Sequence, residues 1–309
     1  MITVADIHQA RERIRQMVLR TPVIEDPAGS GLTLKAEHLQ RTGSFKLRGA
    51  SNRVMKAAEE GARHVVTGSS GNHGQAVAYV ARHLGLKATI VVPEDAPAVK
   101  VRAMREFGAT VEFCGRTSNE RLARAAEICR TEGALFIPPY DDPYVQAGQG
   151  TAGLEILEQV PDVEVVFVPI GGGGLISGVA TAIKESNPRV KVVGVEPELA
   201  NDTFLSRRRG EIVDIGASAT IADGLRTSHP GRLTFPVVQR YVDEIVLVSE
   251  AEIKAACRFL LTKMKQAVEP SGAVSVAAAL QVGGSGRVAL VSGGNLDLDD
   301  LRGVPAWEA

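Results

Sequence analysis

The chain has 309 residues, with 35 lysines and arginines against 36 aspartates and glutamates and a net charge of -1. That length can bury a large core and suits two lobes, while the balanced charge provides no overall field for nucleic acid or an anionic membrane. Three cysteines (Cys114, Cys129, Cys257) without metal-type pairing argue against a disulfide framework or a zinc cluster and fit a reducing compartment, so a cytoplasmic protein is expected.

Residues 1–20 carry charges every few positions and no apolar core region, so neither a signal peptide nor a membrane span is expected there. They read as an amphipathic helix with Ile7, Ala10, Ile14 and Val18 on one face. Next, Thr42-Gly43 and the run Ser44-Phe45-Lys46-Leu47-Arg48-Gly49-Ala50 place Lys46 between apolar neighbours on a turn that opens a helix. An apolar pocket lowers a lysine's pKa and exposes the amine for condensation with an aldehyde, which makes Lys46 a candidate Schiff-base lysine. Taken alone this signal is weak, because most lysines are surface charges.

From there apolar runs alternate with helical patterns. Strands are predicted at 65–67, 88–92 and 110–113, with helices at 74–84 and 99–107 between them. The pattern resumes with strands at 163–169 and 190–195 around a helix at 175–184, and closes on a strand at 288–291. Strands this continuously apolar are buried on both faces, which means α/β architecture with mainly parallel sheets covered by helices. A small lobe is predicted at 43–145, set inside a larger one built from 1–42 and 146–309. Arg207-Arg208-Arg209 reads as a solvated helix face.

Three further motifs sit at strand ends or helix starts, where open α/β sheets bind ligands. Gly171-Gly172-Gly173-Gly174 follows a strand and precedes a helix, so unhindered amides at a positive helix end can cradle a phosphate. A tight turn would read the same way, but four consecutive glycines carry a backbone-entropy cost that a turn does not require. It is neither a Walker loop nor a dinucleotide fingerprint. Ser69-Ser70-Gly71-Asn72-His73 offers hydroxyls, a carboxamide and amides to an anion, although an ordinary cap would need only one of them. Ser292, directly after the last strand in Ser292-Gly293-Gly294-Asn295, could hydrogen-bond a ring nitrogen without forcing its protonation.

In this order and combination the four motifs resemble the fold type II pyridoxal-phosphate enzymes, whose two-lobed fold is tryptophan synthase β-like. Ala147-Gly148-Gln149-Gly150-Thr151, Thr220-Ile221-Ala222-Asp223-Gly224 and Glu269-Pro270-Ser271-Gly272 make the chain most similar to the serine/threonine dehydratase and serine racemase family. The resemblance implies that Lys46 carries pyridoxal 5'-phosphate and acts as acid and base, with Phe45 against the ring. It further implies that Asn72 contacts the phenolic oxygen, that Gly171, Gly172, Gly173 and Gly174 hold the phosphate, and that Ser292 meets the ring nitrogen. Ser69, Ser70, Asn72 and His73 stand where the family holds the substrate carboxylate, with Arg121 assisting. Ser70 also stands where racemases return a proton from the face opposite the lysine.

The implied reaction is dehydration and deamination of a small-molecule amino acid such as L-threonine or L-serine to a 2-oxo acid and ammonia. The alternatives are racemisation of serine or aspartate, or elimination from another substrate such as 3-hydroxyaspartate or a hydroxyectoine breakdown product. Pro138-Pro139-Tyr140-Asp141-Asp142-Pro143 looks like the bacterial dehydratases rather than the animal racemases. Glu196 and Asp202, with the Ala200 carbonyl between them, would pass for a solvated loop, but they match the family's divalent site and imply Mg²⁺ or Ca²⁺. A homodimer is expected, and no regulatory domain is expected after Ser292.

Overall fold

The computed structural model describes residues 1–296 apart from 70, 95, 97, 116 and 117. Thr3 opens α1 (Val4–Ile14) with a reciprocal cap, its hydroxyl accepting from Asp6 N while the Asp6 carboxylate accepts from Thr3 N. Ile7, Ala10 and Ile14 are buried as their spacing predicts. Val18 is a correction: Met17 N and Val18 N both close onto Ile14 O, the helix ends there, and Val18 packs into a different apolar cluster.

A hairpin of β1 (Val23–Glu25) and β2 (Leu32–Ala36) follows, and α2 (Lys46–Glu59) begins at the lysine itself. Then come β3 (His64–Gly68), α3 (Asn72–His83), β4 (Lys87–Val92), α4 (Ala98–Glu106), β5 (Thr110–Phe113), α5 (Ser118–Glu132) and β6 (Leu135–Phe136). The chain continues through α6 (Pro143–Gln159), β7 (Val165–Pro169), α7 (Gly174–Ser186), β8 (Lys191–Pro197), α8 (Asp202–Arg209), α9 (Thr234–Tyr241) and β9 (Glu244–Val248). It closes with α10 (Glu250–Thr262), α11 (Pro270–Leu280) and β10 (Arg287–Val291). On α8, Arg208 and Arg209 are exposed as expected, whereas Arg207 is half-buried and donates to Asp243 O.

These strands form two sheets. One runs β5-β4-β3-β6 and is parallel throughout; the other runs β1-β2-β10-β7-β8-β9 and is parallel except for β1. Alternating side chains of one strand serve two different cores, as the two-residue pleat requires. Val166, Val168, Val192 and Leu290 face α6, α7 and α9, whereas Phe167, Val193, Ala289 and Val291 face α10 and α11. In the smaller sheet Val65, Ile90 and Val92 pack on α2, α3 and α4, while Val66 and Val91 meet Ala125 and Ile128 of α5. Burial on both faces is why these strands read as unbroken apolar runs.

Two features fix the start of α2. The Ser44 segment pairs with Gly293 in an antiparallel bridge, Phe45 N donates to Ser292 O at 3.0 Å, and Gly294 N donates to Gly43 O at 2.9 Å. Two residues beyond the lysine, the fully buried Arg48 guanidinium binds Glu37 through Nε and Nη2 and Glu155 through Nη1 and Nη2, all four at 2.8 Å. Lys35 Nζ completes the cluster at 2.6 Å from Glu155. Gly148 serves packing between α2 and α6, since a Cβ on it would lie 2.6 Å from Arg48 O, whereas one on Gly150 would lie 2.6 Å from Ile7 of α1.

Candidate active site

A cavity of about 230 Å³ lies at the carboxyl ends of β3, β7 and β10, between the two sheets. Phe45, Lys46, Ser69, Asn72, His73, Arg121, Gly171, Gly172, Gly173, Gly174 and Ser292 all line it, although they are spread over more than two hundred residues of sequence. Ser70 lies outside the described residues.

Lys46 Nζ donates to Pro139 O at 2.9 Å and stands 5.2 Å from the centroid of the Phe45 ring. Desolvation lowers its pKa to about 8. At pH 7 this leaves about a tenth of the amines uncharged, against about one in three thousand for an ordinary lysine. His73 next to it is buried, and desolvation followed by the Lys46 charge pushes its pKa down to about 3. Its Nε2 donates to Ile137 O at 3.1 Å, which leaves Nδ1 of the neutral ring an acceptor, so any part it plays towards an anion falls to its backbone N–H and not to an imidazolium.

Two of the helices that begin at the cavity without a side-chain cap do so after a glycine. α7 starts after Gly173, whose φ of +88° favours glycine, and α3 starts after Gly71. Helical N–H groups in a first turn lack helical acceptors, so both ends present donors and a partial positive charge. The Gly172 carbonyl is taken by Thr234 Oγ1 at 2.7 Å and Gly231 N at 3.2 Å. Tyr140 covers the loop so closely that a Cβ on Gly172 would meet its ring at 2.5 Å. The glycines are thus needed both for amide access and for this aromatic cover.

Ser292 is buried, and its hydroxyl donates to Ser271 O at 3.3 Å. Across the cavity Lys100 Nζ of α4 pairs with Asp223, whose other oxygen accepts from Ser271 Oγ at 3.4 Å. Lys100, Tyr140, Asp223 and Glu269 all line the space. None was singled out from sequence for a role, because nothing local marks a residue that meets the cavity beside elements far away in the chain.

The profile of a family described as pyridoxal-phosphate dependent enzyme matches residues 14–294. The chain belongs to this family. It is 46% identical over 308 residues to the L-threonine ammonia-lyase of Thermotoga maritima, covering 97% of this chain and 77% of that one. It is 42% identical to the L-threo-3-hydroxyaspartate ammonia-lyase of Saccharomyces cerevisiae, covering 96% and 94%. The structure of maize serine racemase superposes with a TM-score of 0.93 at 39% identity, covering 97% and 96% of the two chains.

The cavity fits the cofactor of a pyridoxal-phosphate dependent enzyme on its own chemistry. An amine of lowered pKa, an uncapped glycine-lined helix end and a buried neutral hydroxyl face one space, matching an aldehyde, a phosphate and a ring nitrogen.

The segment expected to bind a divalent ion lies after β8. Glu196 is buried and accepts from Thr203 N at 3.0 Å and Phe204 N at 2.7 Å, which turns its carboxylate towards the start of α8. Burial, then the Asp202 charge, raises its pKa well above the usual carboxylate range. Asp202 is buried too, its Oδ2 has no hydrogen-bond partner, and desolvation raises its pKa to about 7. Among the described residues no cluster of three or more His, Cys, Asp or Glu side chains suits a metal. The orphaned Asp202 oxygen is the feature of this segment that would suit a cation.

Proposed function

We propose that the chain is an ammonia-lyase that dehydrates and deaminates a β-hydroxy amino acid such as L-threonine or L-serine, yielding 2-oxobutanoate or pyruvate. The observation that carries this reading is the Lys46 amine of lowered pKa in the same cavity as the uncapped α7 end. Lys46 would hold the cofactor covalently, with Phe45 against the ring and Asn72 at its phenolic oxygen. The amides of Gly171 to Gly174 would hold the phosphate, and the Ser292 hydroxyl the ring nitrogen. When bound, pyridoxal phosphate supplies an electron sink for the charge left on the substrate Cα.

The remaining work falls to this chain. Lys46 Nζ takes the α-proton, which requires its uncharged form, and its lowered pKa keeps that form populated at neutral pH. The α3 end, with Ser69, Asn72 and His73, holds the substrate carboxylate, and Arg121 adds charge from α5. Ser292 as a neutral hydroxyl leaves the ring nitrogen unprotonated, which favours prompt loss of the β-hydroxyl over transamination.

The similarity to serine racemase supports a second activity, exchange of enantiomers, for which we propose Ser70 as the second acid-base group. Incubating the cofactor-loaded protein with D- and L-serine, threonine and 3-hydroxyaspartate, and following both 2-oxo acid and enantiomer, tests the two readings together. Elimination from L-threonine or L-serine is expected to dominate. Enantiomer exchange that outruns 2-oxo acid release would make the protein a racemase, and elimination confined to 3-hydroxyaspartate would reassign the substrate.

Glu196, Asp202 and the Ala200 carbonyl are proposed to bind Mg²⁺ or Ca²⁺ in a stabilising role. We further propose a cytoplasmic homodimer. Among the described residues no helix is long and apolar enough to cross a membrane, and light scattering tests the dimer.

A further inference from the structure

The carboxamide of Asn72 is held from both sides. Its Nδ2 donates to Glu269 Oε1 at 2.6 Å, and its Oδ1 accepts from Asn295 Nδ2 at 2.8 Å. Asn295 Nδ2 also donates to Thr42 O at 2.8 Å. These residues come from the start of α3, the residue before α11 and the loop after β10.

The chain of bonds determines which way the Asn72 amide points. A backbone carbonyl only accepts, so Thr42 O requires the nitrogen of Asn295 on its side. Both hydrogens of that nitrogen are then used, and the second can be received only by the oxygen of Asn72. Nδ2 of Asn72 is left to face Glu269, and one of its two hydrogens remains for the cavity. Space allows little else. A Cβ on Gly43 would lie 2.2 Å from Asn295 Oδ1, and one on Gly293 would lie 2.1 Å from Glu269 Oε1 and 3.1 Å from Asn72 Nδ2. Glu269 is 3% exposed and lines the cavity. An unrestrained carboxamide would present oxygen or nitrogen with similar ease, and the oxygen would repel an anionic phenolic group.

We infer that Glu269 and Asn295 are positioning residues for the bound cofactor, holding Asn72 so that an N–H, never the carbonyl oxygen, meets its phenolic oxygen. The inference rests on the proposed contact between Asn72 and that oxygen. Neither residue needs to touch the cofactor for this.

The test compares wild type with Asn72→Ala, Glu269→Ala, Glu269→Gln and Asn295→Ala. It records the absorption and fluorescence bands of the lysine-bound cofactor, the affinity of the apo-protein for pyridoxal phosphate, and the melting temperature of the apo-protein. Asn72→Ala should shift the bands and weaken binding about tenfold, the scale of one lost hydrogen bond to a charged group. Glu269→Ala and Asn295→Ala should shift the bands in the same direction, whereas Glu269→Gln, which keeps an acceptor, should restore the wild-type spectrum. If Glu269→Ala does not fold, Asn295→Ala carries the same comparison. Altered bands in Asn72→Ala with wild-type bands in the other alanine variants would overturn the inference, as would a lower apo melting temperature with unchanged bands. Wild-type bands in Asn72→Ala itself would refute the Asn72 contact and the inference with it.

Discussion

Replacing Arg48 by methionine would take one positive charge from between two buried carboxylates while keeping most of the side-chain volume. In the native cluster Arg48 and Lys35 balance Glu37 and Glu155, and Glu37 and Arg48 have no exposed side-chain surface. Burial alone would raise the Glu37 pKa, but the Arg48 charge and its hydrogen bonds outweigh that and hold it below the usual carboxylate value. Removing one partner of a buried pair costs about 3–5 kcal/mol, because the other charge stays behind without compensation. An unfolding entropy of about 2.1 cal/mol/K per residue gives a chain of this length about 0.65 kcal/mol/K, so a loss near 4 kcal/mol lowers Tm by about 6 °C.

The pH dependence has a definite sign. In wild type Glu37 has a depressed folded pKa, so its contribution to stability is present above its unfolded value and is lost as pH falls through the folded one. In the variant burial dominates and the folded pKa lies above the unfolded one, so the deficit against wild type begins to grow as pH rises through the depressed wild-type folded pKa and levels only above the raised pKa of the variant. Calorimetry of the apo-protein across pH measures this, and Glu37→Gln added to Arg48→Met should recover part of the loss. A fall in Tm of less than about 1 °C at pH 7, or a deficit of constant size from acid to neutral pH, would refute the reasoning.

With a Lys46 pKa of about 8, capture of pyridoxal phosphate by the apo-protein should quicken about tenfold from pH 6 to 7 and level above pH 8, followed by stopped-flow absorbance; a rate that goes on rising about tenfold per unit beyond pH 9 would show that the amine is not desolvated. Borohydride should fix the cofactor on wild type and not on Lys46→Ala. Chelator should lower the melting temperature, Mg²⁺ or Ca²⁺ should restore it, and Asp202→Ala should blunt both responses; indifference of wild type to chelator would return the segment to an ordinary loop. Ser70→Ala should abolish exchange between enantiomers and spare elimination from the L substrate, and equal loss of both would mean that Ser70 only holds the substrate.

Much of the architecture was legible because of where strands lie in a parallel sheet. β3, β4, β7 and β10 are buried on both faces and so appear as apolar runs, and the helices between them follow from the alternation. β1 and β2 were not legible. The first has three residues at a sheet edge, and the second carries Lys35, a buried charge that only its pairing with Glu155 makes tolerable. Val18 continues the spacing of the first helix but lies past its end, since periodicity says which face is apolar and not where the last turn closes.

The same division runs through the site. Lys46 beside Phe45, the four glycines and the Ser69 to His73 loop were readable because each meets a local requirement: an apolar turn, an unhindered amide, a helix start after a strand. Which of them share a cavity was decided by the tertiary fold, which sets β10 between β2 and β7 and brings Ser292 against Phe45. Glu269, Asn295, Tyr140 and Arg48 acquire their roles only there. Their partners lie far away in sequence, and a hydrogen bond formed across such a separation leaves no pattern in the residues around either end.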